Sequence, residues 1–234
     1  MDMQRLLNRL RPKPMVAQLS ITPILPFQWR QGEHLALTGR TGSGKTTLAN
    51  VLLHARGYTL ALRSKADDAP LPGARIRRAS DFSSRPDIDR WLLDPPYERQ
   101  LVEFWNALET VWREGHWTVY CDELWYLTQL KQGTHRLGDR IDRLLTQGRS
   151  KKITVVCGAQ RPVQISRFAL SQATHIVCFY GDNRDAKTLA EVTDDNFGAT
   201  IQDLGKYEFA WYHVPTREIW RGRVQDLLPV GDTK

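Results

Sequence analysis

The chain has 234 residues, of which 33 are Lys or Arg and 26 are Asp or Glu, giving a net charge of +7. That length suits one α/β domain with a full core and leaves two independent domains cramped. The basic balance fits a polyanionic partner such as nucleic acid, and no apolar run approaches the ~20 residues of a bilayer-crossing helix.

Residues 1–14, MDMQRLLNRLRPKP, read as a short basic amphipathic helix with Leu6, Leu7 and Leu10 on one side, ended by Pro12 and Pro14. Its apolar face suits packing on the domain or on a neighbouring subunit better than anchoring to a membrane surface. Two extended candidates follow at 15–21 and 26–30. Then comes LALTGRTGSGKTTLAN, residues 35–50. Within it Gly39, Arg40, Thr41, Gly42, Ser43, Gly44, Lys45 and Thr46 form a complete G-x-x-x-x-G-K-[ST] phosphate loop. A strand-like run leads in, and a helix-forming run from Thr47 leads out, which is the context the motif requires. Glycines let successive backbone N–H groups turn toward a phosphate, beside the positive end of a helix dipole. Lys45 is suited to bridging the β- and γ-phosphates and Thr46 to holding Mg²⁺, with Thr47 counted among the nucleotide contacts. ATP and Mg²⁺ are the expected ligands.

Gly57 stops the first helix, and 58–63 reads as a second strand. Residues 64–90 are polar and read as a surface loop around a short strand near Ile76. Trp91, Leu92 and Leu93 form an apolar strand end before the turn Asp94-Pro95-Pro96. Between 97 and 114, Leu101, Phe104, Trp105, Leu108, Val111 and Trp112 recur at helical spacing, so this helix covers the sheet with its tryptophans in the core. Residues 117–123, WTVYCDE, are a β-rich run ending in two acids, the pattern of a Walker B strand. Asp122 is suited to the Mg²⁺ shell and Glu123 to polarising an attacking water. A helix and at least one strand intervene between the two motifs, which suggests the branch of P-loop ATPases that inserts an extra strand between the Walker A and Walker B strands and hydrolyses with a glutamate.

Residues 124–150 hold a loop and a helix whose buried face is Leu137, Ile141, Leu144 and Leu145, with Arg136, Arg140 and Arg143 elsewhere on the surface. The run 153–158 is a buried strand ending in Ala159-Gln160-Arg161-Pro162. An amide at that tip is where a sensor meets a γ-phosphate or the lytic water. A strand at 175–180 and a helix at 185–192 follow. Residues 206–223 alternate as a hairpin turning near Pro215 and Thr216, read as extending the sheet. Stacking of its aromatics on bases, beside Arg217, Arg221 and Arg223, is the alternative. Cys121, Cys157 and Cys178 all lie in apolar runs and read as buried reduced thiols, which points to a reducing, cytoplasmic setting.

Taken in order, GRTGSGKT, WTVYCDE, GRSKKITVVCGAQRP and ATHIVCFYGDNRDAKTLAEV resemble the FtsK–HerA superfamily of DNA-pumping ATPases over roughly residues 33–195. The resemblance implies an α/β P-loop NTPase of the ASCE, RecA-like type. It predicts a mostly parallel sheet flanked by helices, with antiparallel strands added at the N- and C-terminal ends. It implies one ATPase domain over 1–234, with an N-terminal extension at 1–32, the core at 33–195 and a hairpin extension at 196–234. Carried over by position, Lys45 and Thr46 become the phosphate and Mg²⁺ contacts, Asp122 the Walker B acid, Glu123 the catalytic base and Gln160 the sensor. Arg149 matches the place of an arginine finger inserted into a neighbour's site. Arg161 is expected to pack or to contact phosphate.

Having no expected membrane-spanning N-terminus and no winged-helix tail, the chain looks most like the small genome-packaging ATPases of viruses. The implied partners are double-stranded DNA, a homo-oligomeric ring of five or six copies, and a portal or capsid vertex protein, with the host cytoplasm as location. The segment Arg63-Ser64-Lys65-Ala66-Asp67 departs from the family's Asp-x-Lys-Gly pattern. Rival readings are an assembly or secretion ATPase moving single-stranded DNA or protein, and a nucleotide kinase using 136–149 as a phosphate lid. A GTPase is a third, on a faint N-K-x-D likeness at Ser64–Asp67 placed too early in the chain.

Overall fold

Alternation along the strands decides which layer each side chain joins. The computed structural model describes residues 28–64, 71–83 and 90–227. In β1 (His34–Thr38), Leu35 and Leu37 face helix α1 (Lys45–His54), while Ala36 faces the opposite layer. The strands β2 (Thr59–Leu62), β3 (Ala74–Ile76), β4 (Arg90–Leu93) and β5 (Thr118–Cys121) follow the same period of two. On the second face lie α2 (Gln100–Glu114), α3 (Leu124–Gln129) and α4 (Leu137–Gln147), with Phe104, Leu108, Leu127, Ile141 and Leu144 fully buried. Between α3 and α4 a small hairpin projects, β6 (Lys131–Gln132) with β7 (His135–Arg136). The chain then runs through β8 (Thr154–Ala159), α5 (Arg167–Gln172), β9 (Ala173–Phe179), α6 (Asn183–Ala190) and α7 (Asp195–Gln202). It closes with the antiparallel pair β10 (Glu208–His213) and β11 (Glu218–Arg223).

One nine-stranded sheet results, in the order β11-β10-β9-β1-β8-β5-β2-β4-β3. The seven strands from β9 to β3 pair in parallel, and β10 joins β9 antiparallel. The expected mostly parallel sheet with antiparallel strands at its C-terminal end is therefore present. The N-terminal helix, the strand candidate at 15–21, residues 65–67 and the start of the 26–30 candidate lie outside the described residues; 28–30 is irregular.

The expected insertion of a strand between the Walker A strand β1 and the Walker B strand β5 is present, and the inserted strand is β8, which comes after both in sequence. The strand at 59–62, which intervenes in sequence, sits outside β5. The insertion needs close backbone approach. A Cβ on Gly158 would lie 2.6 Å from the Asp122 carbonyl and 2.8 Å from that of Cys121, so only glycine lets β8 seat beside the Walker B tip. The three cysteines are buried, unbridged and on β5, β8 and β9 as expected. Burial pushes the thiols of Cys157 and Cys178 up to about 12, so they are inert packing groups.

Trp105 and Trp112 pack against the core from its margin, each under a guanidinium. Arg140 sits 4.1 Å from one ring centroid and Arg143 3.8 Å from the other. These arginines thus fasten α4 to α2, where the sequence reading left them on the open surface. The same packing removes 137–147 from service as a kinase lid. Among the described residues no helix is long and apolar enough to cross a membrane.

Candidate active site

Parallel strands that end together bring distant residues to one edge, and here the carboxyl ends of β1, β8 and β5 converge. The phosphate loop leaves β1 at Gly39, with Gly42 at φ 78° and Gly44 at φ 102°, in the left-handed region that glycine enters without penalty. Gly44 starts α1 without a side-chain cap, and Lys45 is the first helical residue. That geometry leaves the first N–H groups of the helix directed at the cleft, as an anion site requires.

Lys45 is 8% exposed, and its Nζ stands 3.7 Å from Oδ1 of Asp122, itself 7% exposed. The buried hydroxyl of Tyr120 donates to the same Asp122 oxygen at 2.7 Å, fixing the carboxylate from beneath. Burial, then the neighbouring Asp122, hold the Tyr120 phenol well above its ordinary range, so it remains a donor at every working pH. Glu123, also 7% exposed, begins α3 as its N-cap residue. Gln160 donates Nε2 to Glu123 Oε1 at 3.0 Å. Gln164 braces that tip in turn, its Oε1 accepting from the backbone N–H groups of Gln160 and Arg161 at 3.1 and 3.0 Å. A cavity of about 480 Å³ collects Lys45, Thr46, Asp122, Glu123 and Gln160 against residues 40–42 of the loop.

Of the residues that the sequence nominated, Arg40, Thr41, Gly42, Gly44, Lys45, Thr46, Thr47, Asp122, Glu123 and Gln160 line this one cavity, while Gly39 and Ser43 belong to the same loop without lining it and Arg149 lies elsewhere. Arg149 is exposed on the short turn Gly148–Lys151, at the amino ends of the strands. A Cβ on Gly32, two residues before β1, would stand 3.4 Å from its carbonyl, and its charge reaches His34, the first residue of β1. The cavity lies at the far end of the same strand, ~16 Å away at a strand's rise per residue. Arg149 does not enter its own subunit's site.

Asp182, Asp185 and Tyr207 escaped the sequence reading, whereas Arg161, expected to pack or to contact phosphate, packs in ion pairs. Asp182, the N-cap of α6, binds two arginines through one oxygen: Arg40 of the phosphate loop at 2.8 Å and Arg161 at 2.7 Å. Arg161 also donates to the buried Asp185 at 3.0 Å, so it is a strut between the sensor tip and α6. The D-x-x-D spacing after a strand was a readable capping signal. Tyr207, before β10, reaches the phosphate loop and lines the cavity, and nothing in the sequence marked it. The C-terminal hairpin extends the sheet, its Arg221 and Arg223 paired with Asp203 and Glu208.

The donor set fits Mg²⁺. Among the described residues no cluster of three or more His, Cys, Asp or Glu side chains forms a metal cage. The Thr46 hydroxyl and the Asp122 carboxylate are hard oxygen donors of the kind that hold this ion together with substrate phosphates and water.

No family model matches the chain. Over 164 residues it is 29% identical to DNA packaging ATPase P9 of Enterobacteria phage PRD1, covering 67% of this chain and 68% of that protein. The genome packaging NTPase B204 of Sulfolobus turreted icosahedral virus 2, in complex with AMPPCP, superposes with a TM-score of 0.63 at 20% identity, over 82% of this chain and 96% of that one. The bacterial conjugative coupling protein TrwBdeltaN70 superposes with a TM-score of 0.55 at 13% identity, over 83% and 85%. These likenesses show a shared fold, that of the genome packaging NTPase and the conjugative coupling protein.

Proposed function

We infer that this chain is a viral genome-packaging ATPase whose hydrolysis of ATP drives double-stranded DNA through a ring of its copies. The observation that carries the reading is the convergence of Lys45, Asp122, Glu123 and Gln160 in one cavity at the carboxyl edge of β1, β8 and β5. Its likeness to the phage PRD1 packaging ATPase supports the cargo.

Lys45 and the loop N–H groups hold the β- and γ-phosphates. Thr46 and Asp122 would hold Mg²⁺, which would supply charge neutralisation for the phosphates. Glu123 accepts a proton from the water that attacks the γ-phosphorus, and Gln160 orients that carboxylate. Pairing a buried glutamate with an amide suits water activation better than transfer to a second bound substrate, which disfavours a kinase. Arg149, on the opposite edge of the sheet, is suited to complete a neighbouring subunit's site. The β6–β7 hairpin presents Lys131, His135 and Arg136 to solvent directly after the helix that Glu123 begins, a position from which hydrolysis can move a DNA contact. A capsid vertex is the expected docking place.

The test is ATP turnover by the assembled protein with and without duplex DNA, single-stranded DNA and no nucleic acid. Stimulation by duplex of any sequence is expected, together with roughly hundredfold loss or more in Lys45→Ala, as when a charge-stabilising donor is removed. Stimulation by single strands alone favours the secretion-type reading. Absence of ATP turnover refutes the assignment.

A further inference from the structure

We propose that the hollow beside the phosphate loop, on its β9 side, is a purine-base subsite whose principal wall is Tyr207; the proposal rests on the ATPase reading above. A second cavity of about 300 Å³ lies between Tyr180, at the end of β9, and the turn 204–208. It shares Arg40, Thr41, Gly42 and Tyr207 with the cavity that holds Glu123 and Gln160. The two are consecutive stations along the phosphate loop. A triphosphate with its γ end at Glu123 and Gln160 runs its nucleoside end toward the second.

The second station is built for a flat ring. Tyr180 and Tyr207 remain 46% and 36% exposed there, large aromatic faces left uncovered at its rim. Tyr207 holds φ at 63°, a conformation that non-glycine residues rarely adopt. The strain is pinned by a hydrogen bond from the Val224 N–H to the Tyr207 carbonyl at 3.2 Å. Opposite it, Gly44 has no side chain; a Cβ there would touch the Tyr207 ring at 3.5 Å. The loop glycine and the strained tyrosine thus fit each other, which sets the ring edge against the phosphate loop.

The carboxylate at the hollow is engaged elsewhere, and its Arg40 is held by Asp182. Glu208 accepts two hydrogen bonds from Arg223, at 2.7 and 2.9 Å, and one from the Gly205 N–H at 2.9 Å. The Lys206 ammonium stands 4.9 Å from the Tyr207 ring, an exposed cation that an incoming base can displace. Recognition through ring faces favours purines over pyrimidines by stacking area and discriminates little between adenine and guanine.

The experiment measures equilibrium binding of ATP, GTP, CTP and inorganic tripolyphosphate to the full chain and to Tyr207→Gly and Tyr207→Phe. Glycine accepts the φ of position 207 without strain, so the turn survives removal of the ring. Tyr207→Gly is expected to weaken ATP and GTP about tenfold and to leave tripolyphosphate within about twofold, while Tyr207→Phe binds like the parent. The proposal is overturned if Tyr207→Gly binds ATP as tightly as the parent. It is equally overturned if tripolyphosphate is lost in parallel with ATP, since the ring then only props the phosphate loop. A parent chain that binds neither ATP nor tripolyphosphate overturns the ATPase reading and this inference together, and is distinguishable from both.

Discussion

Gln160 donates its side-chain amide to Glu123 at 3.0 Å, joining the tip of β8 to the N-cap residue of α3 across the cleft. On the proposed ATPase reading, each residue holds the other where the γ-phosphate and the attacking water would meet. Glu123→Gln should therefore bind ATP and turn it over ~10²- to 10⁴-fold more slowly, because an amide cannot accept the water's proton. Gln160→Ala should lower turnover by less, with ATP binding retained. Single-turnover hydrolysis beside nucleotide binding checks both, and parental turnover in Glu123→Gln removes it as the base.

Arg149 gives a prediction that separates a finger from a surface charge. In a ring, Arg149→Ala should lose ~10³-fold or more in turnover with ATP binding intact, whereas an ordinary exposed arginine changes little. Mixing that variant with Lys45→Ala subunits should restore part of the activity, where an intact cavity meets an intact arginine. Full turnover by isolated monomers refutes the assignment.

The β6–β7 hairpin predicts how cargo is held. Lys131 and Arg136 pair across it and both are exposed. Replacing both with alanine should weaken duplex binding equally for every sequence and reduce the slope of log affinity against log salt by ~2, one phosphate contact each. DNA stimulation of turnover should fall with it, and thermal melting serves as the folding control. An unchanged salt slope leaves these residues as solvated surface.

Acid should loosen the opposite edge of the sheet. Burial, together with the nearby Arg149 charge, pushes the His34 imidazole down to about 4. Its Nδ1 accepts the Val155 N–H at 3.0 Å, a role open only to the unprotonated nitrogen. Because the folded value lies below the unfolded one, the unfolded chain binds the proton first as pH falls. Stability therefore drops between about pH 6.5 and 4, by up to ~3 kcal/mol from this residue. His175, also driven down by burial, adds in the same direction. His34→Asn keeps an acceptor for Val155 without titrating, so its urea midpoint should vary less over that range. An identical pH profile contradicts the argument.

Much of the site was readable because its signals are local. The glycines around Lys45, the acids after a β-branched run and the amide after Cys157-Gly158-Ala159 each lie within a few residues of the strand that carries them. Strand order was not readable, because the placing of β8 depends on pairing over more than a hundred residues and on the bare Cα of Gly158. The β6–β7 hairpin has strands of two residues, too short for any period to appear. Helix α7 was missed since Gly198 and Thr200 weaken its helical pattern, although Asp194 caps it by accepting the Phe197 N–H. Tyr207 was invisible for a deeper reason: a positive φ at a tyrosine is imposed by the surrounding fold and leaves no trace in composition.

The seat of β8 between the two phosphate-handling strands has a mechanical consequence. Four consecutive residues of β8 are in register with β1 and four with β5, so the three strands form one stiff plate. Sliding any of them would break several ladder bonds at once, far more than a change at one γ-phosphate can supply. On the proposed motor reading the plate is the fixed part, and movement would arise beyond the strand tips. Two levers leave it there: the short helix and hairpin hung on Glu123, and the arginine strut that ties Gln160's neighbour to Asp182 and Asp185. On that reading a movement of the Gln160 amide would act on both from the same fixed edge.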